Sequence, residues 1–75
     1  MKNEETLKQL GLNIKEKRNQ LGISQEQLAF QCGFDRTYIS LIERGKRNPS
    51  FINLLKLSKG LNTRIEDIVA NMEYE

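Results

Sequence analysis

The sequence predicts an all-α fold, with five short helices forming one compact domain over residues 1–75. Three observations predict it. Apolar residues recur at three- and four-residue spacing, and no segment alternates with period two for long enough to be a strand. Ser24, Asp35, Ser50 and Thr63 stand where helix N-caps belong. Gly22, Gly33, Gly45 and Gly60 stand where helices end.

The first helix is expected from about Thr6 to Gln20. Leu7, Leu10, Ile14 and Leu21 make its apolar stripe, and Lys8, Lys15, Glu16 and Asn19 lie off it. Gly11, inside this helix, reads either as a close approach of another element or as simple tolerance. Ser24 opens the second helix. Ser24-Gln25-Glu26-Gln27 fits a capping box, in which the serine hydroxyl takes the N3 amide and Gln27 reaches back. Leu28 and Ala29 follow on the buried side, and Gly33 stops the helix after about two turns. A helix that short is not stable alone and must be held by its neighbours.

Asp35 caps a third helix, Arg36 to about Arg44, and its charge suits the positive end of the helix dipole. Ile39 and Ile42 form its inner face, with Leu41 to one side, and Gly45 ends it. Lys46-Arg47-Asn48-Pro49 is a basic turn. Ser50 caps a fourth helix, Phe51 to about Lys59, with Phe51, Leu54, Leu55 and Leu57 apolar. Gly60 ends it. Thr63-Arg64-Ile65-Glu66 reads as a second capping box, opening a fifth helix to about Met72 through Ile65, Ile68 and Val69. Helices four and five thus occupy about 51–72.

Composition narrows the function classes. Net charge is only +2, yet it is unevenly spread. Arg36, Arg44, Lys46 and Arg47 face one acid, Glu43, in the middle of the chain. Glu66, Asp67, Glu73 and Glu75 close it without a cation. Either the middle attracts a polyanion and the tail repels one, or the imbalance is a chance feature of a solvated surface. One cysteine, Cys32, allows no internal disulfide, and with no histidine neither a Cys/His zinc site nor a Cys–His pair can form within the chain. Cys32 is read as a small buried hydrophobe. Glu4-Glu5 and Glu66-Asp67 are the only adjacent carboxylates, and helical neighbours point about 100° apart. No enzyme is expected, and neither a cofactor nor a metal. With no apolar run near the ~20 residues of a membrane span and no signal-peptide pattern, a cytoplasmic location is expected.

Function is carried by residues 24–44. Two short capped helices joined by Cys32-Gly33-Phe34 form a helix-turn-helix, whose second helix can enter a major groove about 12 Å wide. Arg36, Thr37 and Ser40 are polar, while Ile39 and Ile42 point the other way.

Three stretches carry a resemblance: KRNQLGISQEQLA (Lys17–Ala29), DRTYISLIERGKRNPS (Asp35–Ser50) and LLKLSKGLN (Leu54–Asn62). From Ile14 to about Ile68 the chain resembles the Xre-type helix-turn-helix family of the phage lambda repressor and Cro proteins. Within it, the chain is most similar to the controller proteins of restriction–modification systems, small regulators that often carry a DRTYIS-like segment. The resemblance implies a sequence-specific transcriptional regulator, a homodimer on a pseudo-palindromic operator, with double-stranded DNA as partner.

It also implies roles. Gln25 bonds a phosphate and supports the recognition helix, or is a plain exposed helix former. Arg36 pairs with guanine O6 and N7, or meets only a phosphate; Thr37 meets a base edge, a thymine methyl or a phosphate. Tyr38 lies against the DNA backbone or a groove edge, or packs against the loop to helix four. Ser40 reaches a base or phosphate. Leu41 departs from phage repressors that place a polar reader there, and is not assigned to reading. Arg44, Lys46, Arg47 and Asn48 neutralise phosphates, or form a solvated loop. Arg18 and Glu43 form a semi-buried ion pair that fixes the recognition helix. Leu61, Val69, Met72 and Tyr74 form the two-fold interface, or the apolar residues of helix five are all core, the role given to Ile65 and Ile68. The rival class is an antitoxin or protein-binding helix-turn-helix module acting mainly through a protein partner.

Overall fold

The first helix, α1 (Lys2–Leu21), begins earlier than its apolar stripe. Glu4 and Glu5 occupy its first turn, where acids favour the positive end of a helix dipole. Its extension is therefore set by charge, ahead of the first apolar residue, Leu7. The structure is a computed structural model that describes residues 2–73. Helices α2 (Gln25–Cys32), α3 (Arg36–Glu43), α4 (Phe51–Gly60) and α5 (Ile65–Ile68) follow, with no strand among the described residues.

The side-chain caps of α2, α3 and α4 all form. Ser24 Oγ accepts from the Gln27 amide at 3.0 Å while Gln27 Oε1 accepts from the Ser24 amide at 2.7 Å, completing the capping box. Asp35 Oδ1 accepts from the Tyr38 amide at 2.8 Å, and Ser50 Oγ from the Asn53 amide at 3.1 Å. Each such cap is worth about 1 kcal/mol.

Helices α1 to α4 all end in one way. The chain turns left-handed at Gly22, Gly33, Gly45 and Asn62, and the next amide bonds back across the last turn. These bonds are Ile23 N to Arg18 O, Phe34 N to Ala29 O, Lys46 N to Leu41 O and Thr63 N to Ser58 O, at 2.8–3.3 Å. The pattern is the Schellman motif. The fourth member corrects the sequence expectation in part. The helix ends at Gly60 as expected, but Asn62 (φ 53°), not Gly60, is the left-handed residue, and Gly60 is the last helical residue. A Cβ on Gly60 would stand 2.5 Å from Cys32 Sγ, so this glycine serves the contact between α2 and α4.

The start of α5 is a second correction. Arg64, not Thr63, holds the N-cap position, and it makes no side-chain cap bond. A capping box needs the backbone amide of its first residue, and the Thr63 amide is already bonded to Ser58 O. The Thr63 hydroxyl instead meets Asp67 Oδ2 at 3.3 Å. The helix stops at Ile68, well short of Met72. Asn13 of α1 donates through Nδ2 to Ile68 O at 2.8 Å and to Ala70 O at 3.3 Å, taking carbonyls that a longer helix would use itself.

The core is one cluster. Leu10 and Ile14 of α1, Leu28, Ala29 and Cys32 of α2, and Ile39 and Ile42 of α3 meet Leu57, Leu61 and Ile68. Burial pushes the Cys32 thiol above its usual range, which keeps it protonated and apolar. Leu21, read as part of the inner stripe, is exposed at the last residue of α1, and Phe51 and Leu55 of α4 are exposed too. Helix α3 packs on α1 and α2, α2 on α4, and α5 on α1 and α4. Gly11 decides how closely α1 and α3 approach. A Cβ there would lie 2.4 Å from Ile42 O and 2.5 Å from Glu43 O. Of the two sequence readings, close approach is the one the structure has.

Candidate nucleic-acid interface

Helix α3 has a locked side and a free one. On the locked side Ile39 and Ile42 are buried in the core, and Glu43 follows them inward. Arg18 Nε donates to Glu43 Oε2 at 2.7 Å and Nη2 to Oε1 at 3.1 Å, a bidentate pair whose side chains are 11% and 2% exposed. Gln25 Nε2 adds a bond to Glu43 Oε1 at 3.0 Å, and Arg18 Nη1 donates to Ile23 O at 2.9 Å. One carboxylate thus joins the end of α1, the first residue of α2 and the last of α3. A buried charge is tolerable when its hydrogen bonds are met, and these are. No buried side-chain nitrogen or oxygen among the described residues lacks a partner.

The free side begins at the N-terminus of α3. Arg36 and Thr37 are exposed. Ser40 and Leu41 are half-buried further along. Arg44 lies just past the helix end and is exposed, its Nε donating to Ser40 O at 3.3 Å. Lys46, Arg47 and Asn48 are exposed on the turn that follows, which Pro49 anchors by being buried. Among the described residues neither Arg36, Lys46 nor Arg47 is paired with an acid. Exposed, uncompensated cations at a helix start and on the adjacent turn give one face the means to hold a polyanion.

Tyr38 stands between the two sides. It is half-buried, its ring meets Phe34 edge-on at 4.8 Å, and its hydroxyl oxygen accepts from Asn53 Nδ2 at 2.9 Å. Its contacts are thus with Phe34 and α4. Asn53 is a residue that sequence reasoning passed over. So is Asn13, whose role depends on contacts 55 and 57 residues away.

The residues read as a two-fold interface fall in different places. Leu61 is 2% exposed and belongs to the core of the single chain, so it has no surface to offer a second copy. Met72 is half-buried against that core, Val69 is exposed, and Tyr74 lies outside the described residues. The exposed apolar residues of α4 are Phe51, Ile52 and Leu55, which share one side at i, i+3 and i+4 spacing.

Residues 14–68 match the family model described as helix-turn-helix. The chain belongs to this helix-turn-helix family. Its curated relatives include the control protein C.MunI of a Mycoplasma species, 43% identical over 59 residues covering 79% of this chain and 80% of that one. Among solved structures, the restriction–modification controller protein C.AhdI from Aeromonas hydrophila superposes with a TM-score of 0.87 at 38% identity, over 91% of this chain and 99% of that one. A tetramer of the controller protein C.Esp1396I in complex with its natural 35-base-pair operator superposes with a TM-score of 0.75 at 36% identity, over 85% and 95%. As a member of the helix-turn-helix family, the chain has α2 and α3 as the motif's two helices, with α3 in the recognition position. Among the described residues no helix is long and apolar enough to cross a membrane, and no cluster of metal-binding side chains occurs.

Proposed function

We propose that this protein is a sequence-specific DNA-binding transcriptional regulator of the controller kind associated with restriction–modification systems. One observation carries the reading: Arg36 and Thr37 are exposed at the leading end of a helix whose trailing end is clamped by Glu43. A rod fixed at its back and polar at its front fits a major groove. Arg36 reads a guanine edge, Thr37 and Ser40 meet bases or phosphates, and Tyr38 lies at the groove edge. Arg44, Lys46, Arg47 and Asn48 neutralise phosphates. Gln25 supports α3 through Glu43 and presents its remaining amide proton to a phosphate. The reading assigns no catalytic role and places the protein with DNA in the cytoplasm.

The regulator acts as a homodimer, which is how a single short reading head gains enough contact for specificity. The apolar side of α4, with Phe51, Ile52 and Leu55, joins Val69 as the surface for a second copy. Two recognition helices then enter major grooves about 34–36 Å apart, one turn of the duplex. The controller protein found on its operator as a tetramer supports this assembly.

The test is binding to duplexes selected from a random pool, followed across salt concentration. Affinity is expected to fall steeply as salt rises, with a slope set by the phosphate contacts, and the selected site to be two-fold symmetric. A flat salt response would reject the reading in favour of a module that binds a protein partner.

A further inference from the structure

Tyr38 is the only residue of α3 whose side-chain polar group is fixed by α4 among the hydrogen bonds of the described residues. Its partner is itself well placed. Asn53 sits in the first turn of α4, where its amide is held by the Ser50 cap, so its side chain leaves from a rigid point. The Tyr38 ring is confined against Phe34, and Lys56 Nζ lies 5.8 Å from the centre of the Phe34 ring. Gly33, Phe34, Asp35, Tyr38 and Asn53 line a shallow open depression at the start of α3, beside exposed Arg36 and Thr37.

The direction of the bond matters. Asn53 Nδ2 donates and the phenol oxygen accepts. A tyrosine hydroxyl has one proton to give. Because Asn53 gives rather than takes, that proton is left for a group outside the protein. Phosphate oxygens, guanine N7 and O6, adenine N7 and thymine O4 can accept it, and the amino groups of cytosine and adenine cannot.

Resting on the reading of α3 as a DNA-reading helix, we infer that Asn53 is a positioning and specificity-determining residue, which holds the Tyr38 hydroxyl as a proton donor toward acceptor atoms on the base edges, not toward phosphates, which carry no sequence information. It touches no DNA itself.

The experiment compares affinity for the duplex best selected by the parent protein with affinity for a random-sequence duplex. Tyr38→Phe is expected to lower that preference about tenfold while leaving the ring and its contact with Phe34 in place. Asn53→Ala is expected to lower it several-fold, and the double variant no further than Tyr38→Phe alone. Asn53→Asp, of nearly the same shape, takes the phenol proton for its own carboxylate. Its added charge weakens both duplexes together, so the preference isolates the lost proton and is expected to drop as it does in Tyr38→Phe. Thermal unfolding of the free proteins guards against a general loss of structure, which would not give non-additive preferences. Additive losses in the double variant, an undiminished preference in Asn53→Asp, or no effect of Tyr38→Phe would overturn the inference with the DNA reading intact. A parent protein that binds neither duplex in a salt-dependent way would overturn both.

Discussion

The two sides of α3 are built under opposite demands. The inner side carries Ile39 and Ile42, fully enclosed, and Glu43, whose two oxygens take three bonds from Arg18 and Gln25. The outer side carries Arg36 and Thr37, exposed on a helix whose N-terminus is capped by Asp35. Position is therefore set mainly by buried Ile39, Ile42 and Glu43, with Gln25 serving both the clamp and the outer face, and exposed Arg36 and Thr37 can change without disturbing the fold. This separation gives each substitution a signature: inner changes act on stability, and outer changes act on preference.

The largest effect is expected at Glu43. Glu43→Ala leaves the Arg18 guanidinium enclosed without its carboxylate, a change that costs about 3–5 kcal/mol in comparable buried pairs. Chemical denaturation should show most of that loss, and DNA binding should fail through the scaffold. A variant as stable as the parent would show that the clamp does not hold α3. Gly11→Ala comes next. Its methyl would lie 2.4 Å from Ile42 O, so α1 and α3 must separate, with a cost of about 1–3 kcal/mol for overpacking. An unchanged unfolding midpoint would mean that the two helices part freely.

Arg36→Ala tests the outer side. It should leave thermal stability within about 0.5 kcal/mol of the parent, as exposed positions do. It should cost about 1–3 kcal/mol on the selected duplex and much less on random DNA. Equal losses on both duplexes would make Arg36 a phosphate contact and move base reading elsewhere on α3.

The sequence was legible where local chemistry decides the structure. Ser24, Asp35 and Ser50 cap their helices as their spacing predicts, because each hydroxyl or carboxylate reaches an amide three residues on and nothing else competes for it. Thr63 has the same spacing and fails, because α5 starts one residue later, with Arg64 at the N-cap position, and the Thr63 hydroxyl is turned to Asp67 Oδ2. Gly60 looks like a left-handed helix terminator and is a contact surface for Cys32, a relation 28 residues long that no local pattern displays. The same limit explains Leu61 and Asn53. Apolar spacing cannot separate a core residue from an interface residue in one short chain, and the partner of Asn53 lies on another helix. The basic turn was legible as charge, since Lys46 and Arg47 stay exposed beside buried Pro49.

The smallest effect is expected on that turn, and it sharpens the comparison most finely. Lys46 is exposed, carries no ion pair among the described residues, and stands past the end of α3, on the turn that follows. Its backbone already does structural work, since its amide closes the helix end on Leu41 O at 2.8 Å. Substitution of the side chain alone should therefore leave folding untouched. Lys46→Ala is expected to weaken selected and random duplexes by the same modest factor, and to lower the slope of log affinity against log salt by about 1, the share of one released counterion. A loss confined to the selected duplex would make Lys46 a base reader and extend the outer side beyond α3. An unchanged slope would place it outside the contact and leave the phosphates to Arg44 and Arg47.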